Sequence, residues 1–327
     1  MSNFKSSDVF WASALKRPQL WRTALGAVLI VAASLLATFA LFFVAAAYFG
    51  LTEDELMNGG SPLGSALAFL SFIGVHIGLL FSLWVLHKRS YRSLFGASGK
   101  VDWRHVKQGF LFVIAFFALS VLIMLAEPFV LPGGMVHPVI IGAFMPWLIW
   151  LPIAAVVIFI QVSAEELFFR GYLLQQLRAR SQSFFIYAAL PSLLFGLLHF
   201  DAESYGMLNA LLYVITTTLI GVVGCHVTLH TGNIGAMIGV HYGVNLSTLV
   251  FGADGFGGGF SLVRTTAPLD GAYFTYSLVL QTALVLLGYV YGAAGLQKFK
   301  KENPRRSDFA GYLIITLGRI SSAWSPE

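Results

Sequence analysis

The chain has 327 residues, 57% of them hydrophobic and only 11% charged, with a formal net charge of +5. Soluble globular domains carry roughly a quarter charged residues, so an ordinary soluble domain is excluded. The basic surplus does not point to nucleic acid, because it sits at the ends of apolar runs rather than on one patch.

Eight apolar runs follow one another. The first, Trp21–Tyr48, is too long for a signal-peptide core and is followed by Glu53, Asp54 and Glu55 instead of a cleavage site, so it reads as a retained span. Then come Pro62–Leu86, Gly109–Phe129, Trp147–Phe169, Phe184–Phe200, Leu208–Leu229, Ile234–Phe251 and Tyr273–Leu296. Most approach or exceed the ~20 residues that cross a hydrocarbon core. Backbone in lipid must satisfy its own hydrogen bonds, which predicts helices rather than open strands. The expected fold is all-α: a polytopic membrane protein with about eight transmembrane helices.

Basic residues fix the expected orientation. Lys5, Lys16, Arg17 and Arg22 precede the first run, and Lys88, Arg89, Arg92, Lys100, Arg104 and Lys107 separate the second from the third. Arg170, Arg178 and Arg180 follow the fourth; Lys298, Lys300, Lys301, Arg305, Arg306 and Arg319 follow the eighth; Arg264 alone falls on the other side. The positive-inside pattern predicts both termini in the cytoplasm and basic contacts with anionic lipid headgroups. The chain divides into residues 1–146 (three spans and a basic loop), 147–251 (the segment that carries the motifs below) and 252–327 (a glycine-rich loop, the last span and a cytoplasmic tail). The glycine-rich "FGADGFGGGF", Phe251–Phe260, reads as a mobile connection and not as a phosphate loop, since it lacks G-x-x-x-x-G-K. Phe309–Trp324 reads as a surface amphipathic segment or a disordered tail.

Within this oily frame, "VIFIQVSAEELFFRGYLL" carries adjacent carboxylates at Glu165 and Glu166. An ionised carboxylate in the bilayer centre costs at least ~2.5–3.5 kcal/mol, so such groups are paired and functional. Glu166 and Arg170 have the favourable helical spacing for an ion pair. Glu165 points about 100° away around the helix and must look to other helices. "PSLLFGLLHF" places Phe195 one turn before His199, and "GAMIGVHYGVN" places His241 and Asn245 one turn apart. A carboxylate, two imidazoles and an amide suit hydrolysis: Glu165 takes a proton from water, a neutral imidazole holds that water or coordinates a metal, and His241 with Asn245 donates to an oxyanion. For Glu165 and His199 to share depth, the fourth helix must continue to Leu177 and the helix bearing His199 must stop inside a polar cavity.

The ordered triple "EELFFR", "FGLLH" and "HYGVN" resembles the three motifs of the CAAX protease and bacteriocin-processing family (CPBP, or ABI) of intramembrane endopeptidases. The layout is also similar to the type II CAAX prenyl endopeptidase. The resemblance spans about Trp147–Phe251. It implies that Glu165 and His199 activate water, that His241 and Asn245 stabilise the oxyanion, and that Glu166 and Arg170, with Phe195 nearby, brace the site. It also implies a membrane-associated or lipidated peptide substrate and, for a chain of this size, a bacterial plasma (inner) membrane. The metal question stays open at this point: zinc or another divalent ion held by Glu165, His199 and His241, or water activated without metal.

Other readings of the same groups are a proton-coupled transporter relaying through Glu165, His199 and His241, and a non-catalytic immunity or scaffold protein. Other membrane-protease chemistries fit poorly, as H-E-x-x-H, G-x-G-D and G-x-S-x-G are all lacking. His76 reads as an interhelical hydrogen-bonding residue, and His87, His105 and His137 as solvent-facing. His226 and His230 share helical spacing suited to a metal but lack a carboxylate motif. Asp201 and Glu203 read as loop carboxylates or as outer-wall groups of the cavity. Cys225, the single cysteine, reads as a packing residue.

Overall fold

The computed structural model describes residues 9–52, 55–56, 60–132, 139–252, 258–265 and 267–302. His137, the centre of the glycine-rich loop and the segment Phe309–Trp324 lie outside the described residues. Each of the eight apolar runs contains a helix: α1 (Leu20–Phe49), α2 (Pro62–His87), α3 (Trp103–Val130), α4 (Phe144–Arg180), α5 (Phe185–Leu197), α6 (Ala202–Thr231), α7 (Gly235–Ser247) and α8 (Ala272–Glu302). Among the described residues, five of them (α1 to α4 and α6) are long and apolar enough to cross a membrane. The protein is an all-α polytopic membrane protein.

Helix ends follow local chemistry. Ser61 accepts from the Gly64 amide, with Pro62 in the first turn of α2. Asp102 caps α3 through the amides of Arg104 and His105, and Asp201 caps α6 through those of Glu203 and Ser204. α1 ends at Gly50, whose φ of 64° is the left-handed geometry that glycine adopts freely.

α4 does not end at Phe169. It runs 37 residues, α-helical to Glu166, π-helical over Leu167–Leu173 and α-helical again to Arg180. At 1.5 Å per residue, Glu165 lies about 32 Å from the start of α4 and about 22 Å from its end. The carboxylates are therefore deep within the helix, not at its mouth.

α5 and α7 are shorter than the runs Phe184–Phe200 and Ile234–Phe251 suggested. α5 stops at Leu197 and α7 has 13 residues. Both stop where their polar residues meet a cavity, the setting in which a broken helix is tolerated. α7 packs against α3 backbone to backbone: a Cβ on Gly109 or Gly239 would collide with the carbonyl of Ala236 or Val106, respectively. Small residues at such crossings allow the close approach.

The chain is not wholly helical. A small sheet in the order β1 (Val139–Ile141), β3 (Val263–Thr265), β2 (Phe251–Gly252) pairs β3 antiparallel with β1 and parallel with β2. The reading of Phe251–Phe260 as a mobile connection is thus corrected at both described ends. Phe251 and Gly252 are held in the sheet, and Phe260 is buried against Phe69, its ring centroid 6.1 Å away, and Trp150. The main core, including Leu79, Leu83, Leu94, Tyr172 and Leu174, lies between α1, α2 and the far part of α4.

Two histidines depart from their expected solvent positions. His87 and His105 are only 2% and 7% exposed. His87 is drawn inward by partners distant in sequence, with Nε2 2.9 Å from the Tyr172 hydroxyl and Nδ1 3.1 Å from Gln176 Nε2. His76 does join elements, bonding the Tyr91 hydroxyl and the Ile160 carbonyl.

Candidate active site

The three motif segments converge on one cavity of about 1010 Å³, which Glu165, His199, His241 and Asn245 all line. α4 supplies Glu165, the turn after α5 supplies His199, and α7 supplies His241 and Asn245. Glu165 Oε2 lies 3.6 Å from His241 Nε2. That oxygen is buried and has no hydrogen-bond partner among the described residues.

Glu166 faces the protein interior, fully buried. Its Oε1 accepts from Arg170 Nη1 at 2.9 Å and from His241 Nδ1 at 3.0 Å. Arg170 is 1% exposed, and its guanidinium sits 5.1 Å from the centre of the Phe195 ring. The i,i+4 ion pair expected from sequence is present, and it does more than neutralise a charge. By accepting from Nδ1, Glu166 fixes the orientation of His241 and turns Nε2 toward Glu165.

Charge bookkeeping constrains the protons. Arg170 balances Glu166, which leaves Glu165 facing His241 across the cavity wall. With Nδ1 donating to Glu166, a proton on Nε2 as well makes the ring an imidazolium whose Nε2–H faces Glu165 from 3.6 Å, beyond hydrogen-bond distance.

His199 is held by its own turn. Its Nδ1 donates to the Phe195 carbonyl at 2.8 Å, so a neutral ring presents a lone pair at Nε2. Phe195 and Tyr213 flank it edge-on, with ring centroids 4.8 and 5.5 Å away. Asn245 Nδ2 donates to Gln161 Oε1 at 2.8 Å.

Gln161 and Tyr213 carry no place in the motifs, although both line the cavity. A signal for Gln161 was present: it is the one carboxamide in an apolar run, one helical turn before Glu165 and on the same face. Asp201 lines the cavity as well as capping α6, whereas Glu203 is not among the lining residues. Cys225 is buried beside Ser192.

The metal reading fits these positions poorly. Among the described residues, no three His, Cys, Asp or Glu side chains are gathered to hold an ion. Glu165 and His241 offer a pair, with Nδ1 of each histidine held by Glu166 or by the Phe195 carbonyl and Nε2 directed elsewhere. His226 and His230 stack with ring centroids 6.4 Å apart, and they too bring no third ligand.

Comparison with known proteins points the same way as the motifs. Residues 146–247 match the family model of the Rce1-like type II CAAX prenyl endopeptidases. The chain is also 28% identical over 242 residues to the uncharacterized protein YyaK of Bacillus subtilis (strain 168), covering 72% of this chain and 79% of that protein. The segment similar to the endopeptidase family, residues 146–247, contains Glu165, His199, His241 and Asn245.

Proposed function

We propose, from a core similar to the CAAX prenyl endopeptidases, that this chain is an intramembrane endopeptidase that uses a water molecule activated by Glu165. Family similarity supports proteolysis of a membrane-associated protein at the level of class. The observation that carries the mechanism is the 3.6 Å approach of Glu165 Oε2 to His241 Nε2 inside a cavity shared with His199 and Asn245.

In this reading, a water donates one hydrogen bond to the Glu165 carboxylate and another to the lone pair at His199 Nε2. Its own lone pair then faces a peptide carbonyl in the cavity. The water oxygen bonds to the carbonyl carbon as its proton passes to Glu165. Negative charge develops on the carbonyl oxygen and is met by the Asn245 Nδ2–H and the imidazolium of His241. Collapse of the tetrahedral intermediate breaks the C–N bond, and the proton on Glu165 passes to the leaving nitrogen. Glu166 and Arg170 touch no substrate. They hold His241 in orientation.

The remaining cavity wall supports a hydrophobic or lipidated substrate. It is lined by Ile30 and Leu35 from α1, Phe117 and Met124 from α3, and Leu280 and Leu284 from α8. Apolar walls beside a polar centre suit a peptide that carries a lipid or an apolar segment. We place the chain in a bacterial plasma membrane.

The test is a comparison of membranes carrying the native chain or Glu165→Gln, read for peptides whose termini differ. New termini that depend on Glu165 are expected. Identical termini in the two membranes would refute the endopeptidase reading.

A further inference from the structure

We propose that Gln161 is a positioning residue for the reaction: it locks the Asn245 carboxamide with its N–H edge toward the cavity. This inference rests on the endopeptidase reading and deepens it.

Gln161 is 5% exposed, lines the cavity, and accepts the 2.8 Å hydrogen bond from Asn245 Nδ2. An asparagine side chain ends in an oxygen and an NH₂ of nearly equal shape, and only the NH₂ end stabilises an oxyanion. The terminal torsion of asparagine is broad and roughly two-fold, so an unheld amide presents either end. The bond to Gln161 uses one of the two Nδ2 hydrogens and leaves the other for substrate.

This lock works only if Gln161 is itself oriented, and Glu165 provides the bias. The two residues are one turn apart on α4 and both line the cavity. Side chains at this spacing are neighbours. The carboxylate of Glu165 favours the NH₂ end of Gln161 on its side, which turns Oε1 toward Asn245. The charge that activates water thereby sets the sense of the donor that receives the oxyanion, through one intervening amide.

The test uses the full-length chain in detergent and a synthetic peptide spanning a cut that depends on Glu165. Wild type, Gln161→Met, Asn245→Ala and the double variant Gln161→Met/Asn245→Ala are compared. Gln161→Met lowers kcat about tenfold with KM within about twofold, the pattern of a misaligned transition-state donor. The double variant is no slower than Asn245→Ala, because a residue acting through Asn245 contributes nothing once Asn245 is gone. An unchanged kcat in Gln161→Met, or losses that multiply in the double variant, would each overturn the proposal.

A substrate-free measurement separates this inference from the reading beneath it. With ¹⁵N-asparagine labelling, the Asn245 side-chain amide signals, identified by their loss in Asn245→Ala, shift in Gln161→Met. Signals unmoved in Gln161→Met overturn the Gln161 assignment on their own. Cleavage independent of Glu165 instead overturns the endopeptidase reading.

Discussion

His241 Nδ1 lies 3.0 Å from Glu166 Oε1, the same oxygen that Arg170 Nη1 holds at 2.9 Å. One carboxylate oxygen thus joins an ion pair within α4 to an imidazole on α7. The ring's other nitrogen is left facing Glu165. Two glutamates adjacent in sequence serve different ends because successive helical residues point about 100° apart.

Arg170→Met leaves Glu166 as an uncompensated buried carboxylate. A loss of about 3–5 kcal/mol in stability is expected, since breaking a buried pair on one side strands the other charge. Arg170→Met/Glu166→Gln removes both charges and recovers much of that loss. Thermal unfolding in detergent reads both, and equal stability of the two variants would show that the pairing is not what matters.

Tyr172→Phe tests the polar node away from the cavity. The Tyr172 hydroxyl is shared by His87 Nε2 at 2.9 Å and the Thr23 carbonyl at 3.2 Å, with the residue fully buried. Removing it costs about 1–3 kcal/mol by leaving buried partners unsatisfied. The cleavage rate per folded molecule stays unchanged, because Tyr172 does not line the cavity.

Phe260→Ala tests whether the end of the glycine-rich segment is anchored. Phe260 is 3% exposed and stacks on Phe69 at 10° between ring planes. A cavity of this kind costs about 3–5 kcal/mol. An unfolding temperature equal to that of wild type would restore the mobile-connection reading.

The spans and the charged motif were legible because both leave strong local signatures. Long apolar runs have few alternatives to helix, and Glu166 with Arg170 shows its pairing through spacing alone. The continuation of α4 through Leu177 was also legible, since Glu165 and His199 need a common depth. What stayed hidden depends on contacts remote in sequence. His87 looked like a loop residue because its partners, Tyr172 and Gln176, are 85 and 89 positions away. Phe260 was masked by the glycines around it, and its partner Phe69 belongs to α2. The link from Glu166 to His241 crosses 75 positions, so spacing within α4 could not disclose it.

The most direct measurement is the initial cleavage rate of the purified chain in lipid vesicles, with wild type set against Glu165→Gln on a peptide drawn from the differing termini. Glutamine keeps the shape of glutamate but cannot take a proton from water. A fall of at least about 100-fold is expected, the scale of a lost general base, with thermal unfolding unchanged. A Glu165→Gln rate within about twofold of wild type, well below the loss of a general base, would contradict the account.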